Sequence, residues 1–364
     1  MVEGGHASRS ASHVGRPDQV TASSRAVVTP RVRLTLRLCL VVLSLLPSML
    51  MAKAYLTTFS HSDTGPGPFA DALTYLAAGE RLNVGHDLYT FGPGDRPLFV
   101  YPPSSTAALL SPPPIAAPWR LLALSPAGIT LWIASGWLCL LGTMAYLVFR
   151  LGWPAAIVCA LFFRPVGEQL AVVNMTAFFP ALLVASWRFR AHPQIGLAIG
   201  SMAILKLAPA TMFGWLAGSR PRALVWAAGA MTTFLVLGAI AAGPGAYVEY
   251  LGVATSPVSS PFSLAIQTGL PWLSMAILVG GLIASFLIRH EGLAFAVAIV
   301  ASVAGNPALY GASLVPLLAL LAPFLDGRSG TGDRTMRQFG TRRGLPSSDA
   351  SQNVTAHVSK QEVV

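Results

Sequence analysis

Residues 186–222 read SWRFRAHPQIGLAIGSMAILKLAPATMFGWLAGSRPR. An apolar run over about 194–217 is flanked by paired arginines, Arg188 and Arg190 before it and Arg220 and Arg222 after it. Basic residues at the ends of apolar spans gather on one side of a bilayer. If both flanks lie on that side, the run enters the membrane and returns. Gly200, Lys206 and Pro209 are the places where the helix would break, because proline removes a backbone donor and clashes with the preceding turn.

The rest of the chain agrees with a lipid environment. Hydrophobic residues make up 54% of the 364 positions and charged residues 10%, with a mean hydropathy of +0.61. A soluble domain carries about 25% charged residues, so lipid must cover much of this surface. The net charge of +10 is concentrated at the ends of the chain. Arg9, Arg16, Arg25, Arg31, Arg33 and Arg37 lie in the first 37 residues, and Arg328, Arg334, Arg337, Arg342, Arg343 and Lys360 follow the last apolar run. That is the pattern of cytoplasmic flanks and argues against nucleic acid as a partner. Cys39, Cys139 and Cys159 each sit in an apolar run and read as small hydrophobes, with no disulfide framework or zinc spacing.

Residues 1–30 and 327–364 read as disordered cytoplasmic tails around a membrane domain over 31–326. A first span over about Leu34–Ala52 leads into a polar stretch, 53–96, that holds Asp63, Asp71, Glu80, Asp87 and Asp95. An acidic loop after a basic tail belongs on the outer side, which places both termini in the cytoplasm of a multi-pass cell-membrane protein. Within that loop Ala70–Leu82 is expected to be helical, bounded by the Gly65–Pro68 breaker and Gly85. Further apolar runs fall near 97–118, 126–149, 155–187, 194–217, 223–242, 270–288 and 292–325, the last split at Gly305-Asn306-Pro307. The expectation is an all-α polytopic protein of about eight to ten membrane segments, with short helices on its first outer loop.

Few residues in this setting can carry chemistry. Asp71 is a carboxylate near the outer face and could serve as a general base, or simply cap a helix. Tyr101-Pro102-Pro103, after Phe99, is a stiff entry into the membrane. Lys206 lies deep in an apolar run, where a cation is expensive and a functional role is the default reading. It would suit an anionic phosphate, or pair with Glu168. Arg164, Glu168, Gln169 and Asn174 form a polar patch inside 155–187, and Asn306, Tyr310 and Ser313 a weaker one.

Together these pieces resemble a known family. Asp71-x-x-x-Tyr75-x-x-Ala78, Leu88-Tyr89 and Phe99-Val100-Tyr101-Pro102-Pro103, followed by Val173-Asn174 and Lys206-Leu207-x-Pro209, are similar to the glycosyltransferases of family 87 over roughly residues 65–325. That resemblance implies a GT-C-type bundle that transfers mannose from a polyprenyl-phosphate donor to a glycolipid or glycan acceptor at the outer face, with inversion. It implies Asp71 as the base, with Asp63 a weaker candidate. Lys206, Arg164 and Arg81 would face the donor phosphate. Tyr75, Tyr101, Asn174, Asn306 and Tyr310 would line the cavity. It implies no metal and no cofactor. Where the family often carries Gly-Gln-x-Asn, this chain has Ala171-Val172-Val173-Asn174. Arabinofuranose is the other sugar the resemblance admits. Outside it, the rival readings are a transporter or flippase of a lipid-linked substrate and a non-catalytic relative.

Overall fold

The computed structural model describes residues 30–61, 67–88, 112–254, 263–307 and 309–328. These fold as helices and turns, so the protein is all-α and polytopic. Residues 1–29 and 329–364 of the expected tails, together with Asp63, Tyr89, Phe99 and the Tyr101–Pro103 segment, lie outside the described residues, as does most of the 97–118 run.

Among the described residues, three helices are long and apolar enough to cross a membrane: α1 (Pro30–Ser60), α4 (Gly128–Leu151) and α10 (Arg222–Ala242). The pair α5 (Trp153–Leu161) and α6 (Phe163–Val172), bent by 61°, adds a fourth if counted as one span. The remaining apolar runs are divided into shorter pieces: α7 (Phe179–Arg188), α8 (Ile195–Leu205), α9 (Met212–Ser219), α13 (Leu273–Leu287), α14 (Glu291–Ala304) and a final 3-10-type segment, Gly311–Arg328. Breaks at Phe162, Val173 and Lys206 interrupt the runs, so full-length spans are fewer than the apolar runs suggest. α1 continues unbroken through Lys53 to Ser60, so the first loop begins later than residue 53.

Four side chains from different segments meet at one end of the bundle. Arg190, after α7, bonds Asp326 at 2.9 Å and stands 3.5 Å from Glu291. Arg220, after α9, grips the same Glu291 through two bonds of 2.9 and 3.0 Å. The Arg190 guanidinium also lies 4.5 Å above the Trp187 ring, and Trp187 donates to Asp326. Arg190 precedes α8 and Arg220 follows α9, so the two ends of the 194–217 run meet at Glu291. Glu291 opens α14 and Asp326 lies near the end of the last segment, so the ends of the 292–325 run meet at Arg190.

The return of α8 depends on small residues. Gly196 and Gly200 lie directly against the α10 backbone at Ala223 and Ala227, where a Cβ would collide with main-chain atoms. Below this contact runs the main core, which includes Leu140, Met144, Trp187, Met202, Trp215, Phe295 and Leu318.

The opposite end carries a separate layer. Helix α2 (Ala70–Asn83), close to its expected bounds, packs on α3 (Ala116–Leu122). Tyr75, Ile115, Trp119 and Met175 form a second, smaller core there, backed by Trp132 and Leu205. Arg120 of α3 donates to the Ala241 carbonyl at 2.9 Å and to Asn83, tying the layer to the end of α10. Short helices α11 (Gly245–Ala254) and α12 (Leu264–Thr268) follow α10.

Candidate active site

A polar centre forms between the two cores, at positions where helices stop. α6 ends at Val173, whose φ of +49° is the left-handed region that a β-branched residue rarely adopts. Such a conformation costs about 1–3 kcal/mol and persists only where the surroundings impose it. Two tryptophans of α4 impose it here. Trp137 Nε1 donates to the Leu170 carbonyl and Trp132 Nε1 to the Val173 carbonyl, each at 2.9 Å. Gly136, between them on α4, leaves room for the Val173 side chain.

The bend turns Asn174 out of the helix and fully into the protein, where it is only 8% exposed. Its Oδ1 accepts from the Thr176 amide at 2.8 Å and from Gln169 Nε2 at 3.1 Å, and the Thr176 hydroxyl bonds it too. Gln169 also reaches the Asn174 carbonyl, and Thr176 closes the ring onto Gln169 Oε1 at 3.1 Å. With Oδ1 occupied, the amide nitrogen is left to donate, and it donates to the Asp71 carboxylate.

Asp71 sits in the first turn of α2, after Phe69, which itself has φ +58°. The Phe69 amide donates to the Ala171 carbonyl at 2.8 Å, and its ring packs 6.4 Å from Trp137. The start of α2 is therefore bolted to the end of α6, which delivers Asp71 to Asn174. Burial raises the Asp71 carboxyl above the ordinary aspartate value; the Asn174 bond and the nearby Lys206 charge pull it part of the way back. The Asp71 residue keeps some exposed surface, while its carboxyl is buried.

Lys206 is the residue at which α8 stops, in extended conformation with φ −146° and ψ 123°. The expected break therefore falls at Lys206, followed by a short turn over Ala208–Thr211, while Gly200 stays inside α8. The lysine is half-buried and electrostatically coupled to Asp71. Asp71, Asn174 and Lys206, distant in sequence, thus converge.

The other expected residues divide. Arg164 is exposed one turn before Glu168 and interacts with it, and Glu168 in turn interacts with Asp71. Tyr310 and Asn306 are half-buried in the turn between α14 and the final segment, next to Gly311, which abuts Glu168. Tyr75 is buried in the small core, 5.3 Å from Trp119 and 6.2 Å from Trp132. Arg81 is ten residues along α2 from Asp71, about 15 Å by helical rise, and donates to the Asp87 carbonyl. Tyr101 lies outside the described residues.

Sequence reading missed the work of Gln169, Thr176, Trp132 and Trp137. Gln169 stood in the polar patch without a role. The signals were present: a glutamine inside an apolar helix, five residues before an asparagine, and two tryptophans spaced by five on one span.

The fold and the site define an all-α membrane protein whose polar centre is built from broken helices and roofed by a loop layer. The chain belongs to glycosyltransferase family 87, whose model matches residues 99–326. It is a membrane glycosyltransferase and so takes a sugar donor and an acceptor. No curated protein and no solved structure matches the chain. The matched region contains Asn174, Lys206, Arg164 and Glu168, while Asp71 lies before it.

Proposed function

We propose that the chain transfers mannose from a polyprenyl-phosphate donor to a hydroxyl of a glycolipid or glycan acceptor, at the outer face of the cell membrane and with inversion. The observation that carries this reading is the convergence of Asp71, Asn174 and Lys206.

The chemistry follows from those groups. The acceptor hydroxyl attacks the anomeric carbon on the face opposite the phosphate. Asp71 takes the hydroxyl proton as the new carbon–oxygen bond forms. The bond between the anomeric carbon and the phosphate oxygen breaks, and polyprenyl phosphate leaves with the electron pair. Lys206 and, from the rim, Arg164 stabilise the charge on that leaving group. Asn174 orients the carboxylate. Asn306 and Tyr310 serve the acceptor side, and the aromatic layer around Tyr75 packs as a separate small core. A lipid-linked donor arrives within the bilayer, which accounts for a transferase embedded there.

The test is a transfer assay in isolated membranes, with polyprenyl-phosphate-mannose and polyprenyl-phosphate-arabinofuranose in parallel, on wild type and Asp71→Asn. The reading requires mannose transfer by wild type and its loss in the variant. Transfer of arabinofuranose alone would keep the mechanism and replace the sugar; transfer of neither would overturn both.

A further inference from the structure

Lys206 stands on a helix break, and that break is held from outside the site. The Lys206 amide still bonds the Met202 carbonyl at 2.9 Å, the last bond of α8, and the chain then turns over Ala208–Thr211. Leu205, before it, packs in the small core with Tyr75 and Trp119. Leu207, after it, is 63% exposed, so the break stands at the border between protein and lipid. Backbone groups freed by a break in an apolar run need partners from the protein itself.

The turn leans on α13 and α14, two helices that carry none of Asp71, Asn174 and Lys206. Thr211 is 1% exposed, and its hydroxyl donates to the Ala298 carbonyl, in the middle of α14, at 2.7 Å. The Ser285 hydroxyl of α13 is shared between the Thr211 carbonyl at 3.2 Å and the Leu282 carbonyl of its own helix at 3.0 Å. Two glycines make these approaches possible. A Cβ on Gly281 of α13 would collide with Ala301 of α14 and meet the Thr211 methyl. One on Gly214 of α9 would collide with the Leu282 carbonyl and the Ser285 hydroxyl. The last residue of the turn is thus fastened to both helices, five residues from Lys206.

We infer that Thr211 is a positioning residue of the transferase: it fixes the helix break so that the Lys206 ammonium is presented to the donor phosphate, with Ser285 as its support. The inference rests on the reading of Lys206 as the phosphate cation. A lysine side chain is long and flexible, and a fixed backbone beneath it leaves phosphate binding only the side chain to order. Neither hydroxyl is charged, so the effect is on the place of the Lys206 charge and not on its sign or size.

The experiment uses full-length protein in lipid nanodiscs: wild type, Thr211→Val, Thr211→Ser, Lys206→Met and the double variant Thr211→Val with Lys206→Met. Two quantities are measured. One is the Kd of polyprenyl phosphate alone, which requires no transfer; the other is the donor KM with polyprenyl-phosphate-mannose. Valine keeps the shape of threonine and removes the hydroxyl. Thr211→Val should raise both quantities about threefold to tenfold, the scale of one lost hydrogen bond. Thr211→Ser, which keeps the hydroxyl, should restore both. In the Lys206→Met background Thr211→Val should raise neither further, because no ammonium is left to place; a purely structural loss would act equally in both backgrounds. An unchanged Kd in Thr211→Val, or an equal rise in both backgrounds, would overturn the inference. Should Thr211→Val not accumulate as folded protein, Ser285→Ala is read by the same cycle with the same expected direction. Coupling of Thr211 to Lys206 in the Kd, in a protein that transfers no mannose, counts against the proposed activity and supports the role of Thr211. Wild type that binds no polyprenyl phosphate overturns the inference.

Discussion

The side-chain amide of Asn174 donates to the Asp71 carboxylate across the joint between a membrane helix and the loop layer. The bond is directional because the Thr176 amide and Gln169 Nε2 already hold Asn174 Oδ1. Asp71 therefore faces a fixed N–H and, beyond it, the Lys206 charge, while burial opposes its ionisation. A carboxylate in such surroundings is presented to a proton donor with its geometry set in advance.

Asp71→Asn should lower the transfer rate by at least about 100-fold, the scale of a lost general base. In wild type the rate should fall as pH drops through the raised value of Asp71, because the protonated acid cannot accept a proton. The acid limb should therefore lie above the ordinary aspartate range. A rate flat down to that range would contradict the assignment.

Asn174→Asp keeps an oxygen for Gln169 and Thr176 but replaces the N–H facing Asp71 with a second acceptor. Like charges then meet, Asp71 holds its proton more tightly, and the acid limb should move to higher pH. Asn174→Ala should also cost about 1–3 kcal/mol of stability, since Gln169 is left buried without its partner. Rate–pH profiles and thermal unfolding in detergent separate the two effects.

Lys206→Met removes the cation near Asp71. The acid limb should again move to higher pH, because the Lys206 charge lowers Asp71. Donor KM should rise about tenfold or more if the ammonium binds the phosphate, since a charge-assisted bond is worth about 1.5–3 kcal/mol. Steady-state kinetics with varied donor decide this; an unchanged donor KM would remove Lys206 from the phosphate site.

Gly136→Leu acts at a distance from the chemistry. A Cβ there would stand 2.8 Å from Val173 Cγ1, so leucine must push the left-handed turn that carries Asn174. Overpacking of this kind costs about 1–3 kcal/mol, and activity should fall with it. A fully active Gly136→Leu protein would show that the turn tolerates displacement.

Arg190→Ala tests the far end of the bundle. It strips a partner from Asp326 and Glu291 and a cation from the Trp187 face, with an expected cost of about 1–2 kcal/mol. The melting temperature should drop, while transfer measured well below it should be unchanged. A lost rate at low temperature would mean that the ion-pair end communicates with the site.

Much of the scaffold was legible in the residues alone. Paired arginines around the 194–217 run foretold that its two ends come together, because a charge left in lipid is costly wherever the chain places it. Alternation of apolar runs with glycine and proline marked α2, α4, α10 and α13 closely. Asn174 and Lys206 were visible as polar exceptions in apolar runs, and Asp71 as one carboxylate of the polar first loop.

What only the tertiary structure decided is their meeting. Periodicity and charge act along the chain and say which residues lipid or water will tolerate. They do not say that Phe69 bonds the end of α6, that two tryptophans hold Val173 left-handed, or that Gln169 turns Asn174 toward Asp71. Those are contacts between segments far apart in sequence, each set by the packing of the whole bundle. The sequence by itself determined a membrane protein with a few costly polar residues; the packing decided that those residues form one site.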